Sequence, residues 1–191
     1  MFDPMRRMES SSEARIALRL PVSFPLWLRA LSPFARNSVG EAALDAWKLL
    51  EESFFPSDPH VQFTVEPVLM PIRTSLGSRD LVHIFKTLLG NCRRAVLEAR
   101  IPNPCIQVRC APGAPGLVTL CISDNGPGLS ARDFEALTGR HDLDLALTRQ
   151  LIEREKGTLG VAEKSGSLGE GAVFQLSLPS WRRKNKGEQS Q

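Results

Sequence analysis

The residues best suited to chemistry in this chain are Asp124, Gly126 and Gly128, within the run Asp124-Asn125-Gly126-Pro127-Gly128. The run closes an apolar, strand-like stretch at 117–123. A carboxylate at a strand end can accept a hydrogen bond from an exocyclic amine. Glycines beside it let the backbone pass close to a flat ring. A second reading stays open, because Asn-Gly and Pro-Gly also serve simply to turn a chain after a strand.

A second group lies on a long helix expected over 78–100, with the apolar stripe Leu81, Ile84, Phe85, Leu88, Cys92, Ala95, Val96, Ala99 and Pro102 as its stop. An advance of about 100° per residue puts Asn91 at the edge of that stripe. Thr87 and Arg94 share its ridge, with His83 a turn earlier. Asn, Arg and Thr on one ridge can hold a metal ion and phosphate oxygens. They can equally form an ordinary solvated helix edge.

The elements that must position these residues follow from periodicity and breakers. Short helices are expected at 26–35 and 41–54, the second with the stripe Ala43, Leu44, Trp47, Leu50, Phe54. Residues 56–59, Pro-Ser-Asp-Pro, mark a boundary. Beyond it, 61–65 alternates as a strand, with 69–74 as its expected partner. Strands at 105–110 and 117–123 flank a Gly/Pro-rich turn. Helices near 131–137 and 143–156, the latter closed by Gly157, precede strands near 158–163 and 172–178. The expected fold class is α+β, a two-layer α/β sandwich preceded by a short helical N-terminal segment. The expected division is a helical segment at 1–57, a domain at 58–180 and a basic polar tail at 181–191.

Composition narrows the classes. At 42% hydrophobic and 24% charged residues the chain reads as soluble and globular. A net charge of +3 gives no case for nucleic acid, and the basic cluster Arg182, Arg183, Lys184, Lys186 reads as a solvated end. No uninterrupted apolar run reaches the roughly 18 residues of a membrane span. The N-terminus lacks the basic-then-apolar order of a signal peptide, so a cytoplasmic location is expected. Cys92, Cys105, Cys110 and Cys121 form no Cys-x-x-Cys pair and stand apart from the histidines, as buried reduced thiols do.

The order of these motifs resembles the catalytic domain of the ATPase superfamily shared by gyrase, heat-shock chaperones, histidine kinases and mismatch-repair proteins (the Bergerat, or GHKL, fold). The likeness covers about 61–179 and is closest to the histidine-kinase branch. Residues 88–95, Leu-Leu-Gly-Asn-Cys-Arg-Arg-Ala, look like the family's Asn box, which implies Asn91 as a magnesium ligand. Residues 124–128 match the first glycine box, whose Asp reads adenine. Residues 157–161 and 169–179 look like the last strands. The resemblance implies a nucleotide site formed by Asn91, Arg94, Asp124, Gly126 and Gly128.

The chain departs from the family at three places. The second glycine box, Gly-x-Gly-Leu-Gly-Leu, is here Arg140-His141-Asp142-Leu143-Asp144-Leu145. Carboxylates at Asp142 and Asp144 repel the phosphate that the helix N-terminus would otherwise attract, and Asp142 is also a good N-cap. The lid between the boxes is short. Ala172 stands where the family generally has a Thr supporting the adenine-reading Asp. Residues 31–38 are similar to the phosphoacceptor pattern of histidine kinases, but with Pro33 in the place of His.

The expected function is therefore a non-catalytic histidine-kinase-like protein, without cofactor, acting by protein contacts in bacterial signalling. Its expected partner is response-regulator-like or a kinase, with a possible homodimer through the N-terminal segment. The alternative is a protein kinase, of minimal histidine or anti-sigma-factor serine type, using a divergent Mg-ATP site.

Overall fold

The structure, a computed structural model, describes residues 38–53, 59–138, 142–162 and 171–181. The expected helix at 26–35, Pro33, Phe54, Arg140, His141 and the basic cluster at 182–186 lie outside these residues. Among the described residues no helix is long and apolar enough to cross a membrane.

Five strands form one mixed sheet: β1 (Gln62–Val65), β2 (Cys105–Ala111), β3 (Leu117–Asp124), β4 (Thr158–Val161) and β5 (Val173–Pro179), in the spatial order β1-β2-β3-β5-β4. β1 pairs with β2 in parallel, and the remaining neighbours are antiparallel. This corrects the expected local pairing of 61–65 with 69–74. Pro67–Leu69 forms a 3-10 turn instead, and Arg73 and Thr74 make only isolated bridges. Pro67 fixes φ and has no N–H to donate, which favours the turn over a ladder. Glu66 extends the β1–β2 contact in another way, its Oε2 accepting the Cys110 N–H at 2.7 Å.

Helices cover one face of the sheet. α2 (Ser78–Glu98) buries Leu81, Ile84, Phe85, Leu88, Leu89, Cys92 and Val96. Facing it are Ile106 and Val108 of β2, Val118, Leu120 and Ile122 of β3, and Phe174, Leu176 and Leu178 of β5, all buried. The register aligns Val108 with Ile122 and Ile122 with Phe174, so one apolar row crosses three strands. Strand alternation puts Asp124 on the same inner face as Leu120 and Ile122.

α1 (Val39–Glu51) starts where the Ser38 hydroxyl accepts the Glu41 N–H at 3.3 Å and donates to the Met70 carbonyl at 2.6 Å. Its alanines, at 42, 43 and 46, favour helix and are buried with Trp47 and Leu50. Trp47 stacks on Phe63 of β1, ring centroids 4.5 Å apart. The Trp47 side of α1 is thus covered by its own chain, whereas Leu44, expected in the same stripe, and Leu49 are exposed.

α3 (Ala131–Ala136) and α4 (Leu143–Arg154) complete the helical layer. Phe134 of α3 meets Phe174 edge-on at 6.1 Å. The left-handed residue ending α4 is Lys156, φ 61°, rather than the expected Gly157. Gly157 is needed for close approach, since a Cβ there would lie 2.5 Å from the Ser177 carbonyl oxygen.

The α2–sheet contact predicts a sharp contrast between two faces of one helix. Leu88→Ala, at a fully buried position, should lower unfolding free energy by about 2–5 kcal/mol in urea titrations. Lys86→Ala, exposed on the opposite side, should change it by no more than about 0.5 kcal/mol.

Candidate functional site

Asp124 is buried, at 8% exposure, at the end of β3. Its Oδ1 accepts the N–H of Gly126 at 2.8 Å and that of Ala172 at 3.1 Å. A buried carboxylate is costly unless it is hydrogen-bonded, and two backbone donors offset that cost. Ala172 has no hydroxyl, yet its amide supports Asp124 directly. The other oxygen, Oδ2, is closed to solvent and has no hydrogen-bond partner. The buried Cys92 thiol, one residue after Asn91, lies beside the Asp124 side chain. Burial, and then the Asp124 carboxylate, push the pKa of Cys92 well above the ordinary thiol value.

The two glycines have local reasons to be glycine. A Cβ on Gly126 would come within 2.9 Å of Asp124 Oδ1 and 3.3 Å of Val96 Cγ1. Gly128 has φ 85°, the left-handed region where a side chain strains the backbone. Gly171 is a third such position, not singled out from the sequence: a Cβ there would lie 2.0 Å from the Asp124 carbonyl oxygen. Asn125 was also missed. Its Oδ1 accepts the Cys105 N–H at 2.9 Å and its Nδ2 donates to the Asn103 carbonyl at 3.1 Å, pinning the turn to the start of β2. The signal available for it was the preference of Asn for side chain-to-backbone bonds in turns.

On α2, Asn91 is half-buried and Arg94 exposed. The Arg94 Nη2 donates to Asn91 Oδ1 and lies 3.7 Å from Asp142 Oδ2. Asp142 is the N-cap of α4, its Oδ1 accepting the Leu145 N–H at 2.9 Å. Asp144 is exposed in the first turn of that helix. Of the other two ridge residues, His83 has its Nε2 buried without a hydrogen-bond partner among the described residues, and Thr87 is half-buried.

Between α2, α3, α4 and β5 is a cleft of about 160 Å³. Ala95, Leu137, Leu145 and Phe174 give it an apolar floor, and Asn91, Arg94, Glu98 and Asp142 form its rim. Asp124 is not among the described residues lining it. Ligand pockets for drug-sized molecules run to roughly 300–1,000 Å³, so this cleft is small by that measure. Arg149 ties the helices that flank it, bonding Glu135 of α3 at 2.8 Å and Glu153 at 3.0 Å. Among the described residues no cluster of three or more His, Cys, Asp or Glu could hold a metal ion.

The sheet, its single helical layer and the Asp-Gly turn at one end of β3 define an α+β domain of ATPase type. The chain belongs to the family of histidine kinase-, DNA gyrase B-, and HSP90-like ATPases, which residues 77–182, more than half of it, match. It is 30% identical over 158 residues to the C4-dicarboxylate transport sensor protein DctB of Rhizobium meliloti (strain 1021). That match covers 78% of this chain but spans only 23% of the sensor protein. Among solved structures, it is similar to the mycobacterial sensor histidine kinase MprB, with TM-score 0.56 and 21% identity over 73% of this chain and 93% of that one. The nucleotide-free catalytic domain of histidine kinase ThkA gives TM-score 0.58 at 17% identity, covering 74% and 93%. Full-length ShkA in complex with AMPPNP gives 0.57 at 22%, covering 76% and 31%. At these identities the structural likeness establishes the fold.

Two outcomes are expected from the Asp124 cluster. Gly126→Ala should destabilise the protein by about 1–3 kcal/mol through overpacking against Asp124 and Val96, read as a lowered urea midpoint. Cys92 has a raised folded pKa, so both states keep a neutral thiol at low pH. Above the ordinary thiol value of 9.0 the unfolded thiol ionises first, and stability falls as pH rises. Cys92→Ala should therefore show a shallower loss of melting temperature between pH 8 and about 10.5 than the parent protein.

Proposed function

We propose that this protein is a non-catalytic member of the histidine-kinase branch, acting through protein contacts in bacterial signal transduction. The observation that carries this reading is the state of the α4 N-terminus. Free amides and the helix dipole make such an end an anion site, and here the Asp142 carboxylate already takes the Leu145 N–H. The fit to Mg-ATP is poor on three further counts. Asp124 Oδ2 is closed to solvent, the cleft is about 160 Å³, and Asp144 adds a second negative charge beside the cap.

A response-regulator-like protein or a kinase is the proposed partner class, and a cytoplasmic location is part of the proposal. Within α1, a homodimer through 1–57 would have to use the exposed Leu44 and Leu49 rather than the Trp47 side, which is buried against its own chain.

One observation favours the alternative, a protein kinase with a divergent Mg-ATP site. Asn91 and Arg94 touch, and the Asp124 turn lies beneath the same helix through the contact of Gly126 with Val96. In that reading Asn91 ligates magnesium and Asp124 receives the adenine amine.

Melting temperature in Mg-ADP or Mg-ATP separates the two, because a ligand bound only by the native state must stabilise it. A ligand at 100 times its Kd adds about 2.7 kcal/mol. No shift at about 1 mM nucleotide is expected on the non-catalytic reading, given that Kd values of 10 µM or tighter would then be excluded. A clear rise that disappears in Asp124→Asn would establish the alternative.

A further inference from the structure

Asp142 uses both oxygens on groups that would otherwise receive an anion. Oδ1 accepts the Leu145 N–H at the α4 N-terminus, 2.9 Å away. Oδ2 lies 3.7 Å from Arg94 Nη2, whose guanidinium also donates to Asn91 Oδ1. One carboxylate thereby engages the helix end directly, Arg94 by charge and Asn91 through Arg94. These belong to two different helices, α2 and α4, that wall the cleft.

The hold is weak by its own geometry. Arg94 is 61% exposed and Asp142 21%, and a separation of 3.7 Å is long for a charge-assisted bond. A contact of this kind competes with a ligand rather than sealing a site. The glycines and backbone amides around Asp124 remain in place beneath α2.

We infer that Asp142 is an intramolecular stand-in for a phosphate group: it occupies the α4 N-terminus and Arg94 together and so selects against phosphate-bearing ligands. The inference rests on the non-catalytic reading above and names what makes the site reject nucleotides. It assigns selectivity to one residue. Asp144, exposed in the first turn, contributes only diffuse charge.

Asp142→Asn tests it. Asn caps helices about as well as Asp and has nearly the same volume, so α4 should keep its start while the charge is lost. Calorimetric titration of the full chain with Mg-ADP and with adenosine is compared for the parent, Asp142→Asn and Asp144→Asn. Unliganded melting temperatures check that each is folded.

The expected result is a gain of at least about tenfold in Mg-ADP affinity for Asp142→Asn, equivalent to 1.4 kcal/mol. Adenosine affinity should change by less than about twofold, and Asp144→Asn should alter Mg-ADP affinity by less than about threefold. A parent and an Asp142→Asn variant that both ignore Mg-ADP would overturn the inference and leave the non-catalytic reading standing. A parent that binds Mg-ADP would end that reading, and the inference would survive only if Asp142→Asn still bound it tenfold tighter. Equal gains for adenosine, or for Asp144→Asn, would also overturn it.

Discussion

The apolar face of α2 against the sheet is the constraint on which the rest of the molecule depends. Leu81, Ile84, Phe85, Leu88, Cys92 and Val96 are each fully buried. Burial of such side chains contributes about 1.5–3 kcal/mol apiece. The same helix also packs against α1, and its edge carries Asn91 and Arg94. Because one rigid helix holds both core and site residues, the position of Asn91 relative to β3 is set by packing.

Asp124 joins that core to the candidate site. As an inner-face residue of β3 it is drawn beneath α2, where an unpaired carboxylate would be strongly disfavoured. The amides of Gly126 and Ala172 answer one oxygen, and the approach they need admits no Cβ at Gly126 or Gly171. The first glycine run is thus required for the fold of this loop whether or not a ring ever lies beside it. This weakens the motif as evidence of activity while strengthening it as evidence of architecture.

The remaining charged groups at this end of the molecule are organised among themselves. Arg94 faces Asn91 and Asp142, and Arg149 of α4 reaches Glu135 of α3 as well as Glu153 of its own helix. Exposed pairs of this sort contribute about 0–1 kcal/mol each. Their effect is on local electrostatics, since they direct the positive groups toward internal carboxylates.

Much of this was legible in the sequence because it depends on local rules. The 3.6-residue stripe of α2, the alternation of β2, β3 and β5, the N-cap at Asp142 and the glycine run all follow from spacing and residue type. So did the family, whose motifs occur in order. Tertiary structure decided what spacing cannot express. The parallel pairing of β1 with β2 depends on strands some forty residues apart, and 69–74 makes only isolated bridges, at Arg73 and Thr74, in place of the expected strand. Neither Gly171 nor the Cys92–Asp124 proximity has a local signature, and the turn preference of Asn125 does not say which backbone it binds, because each acts through a partner distant in sequence. The same holds for Arg94 and Asp142, separated by 48 residues and brought to 3.7 Å only when α2 and α4 pack side by side. The sequence by itself determined that this is an ATPase-type α+β domain. Only the folded arrangement decided that the carboxylate capping α4 would also face the arginine on α2, since through-space charge contacts are set by packing and not by order along the chain.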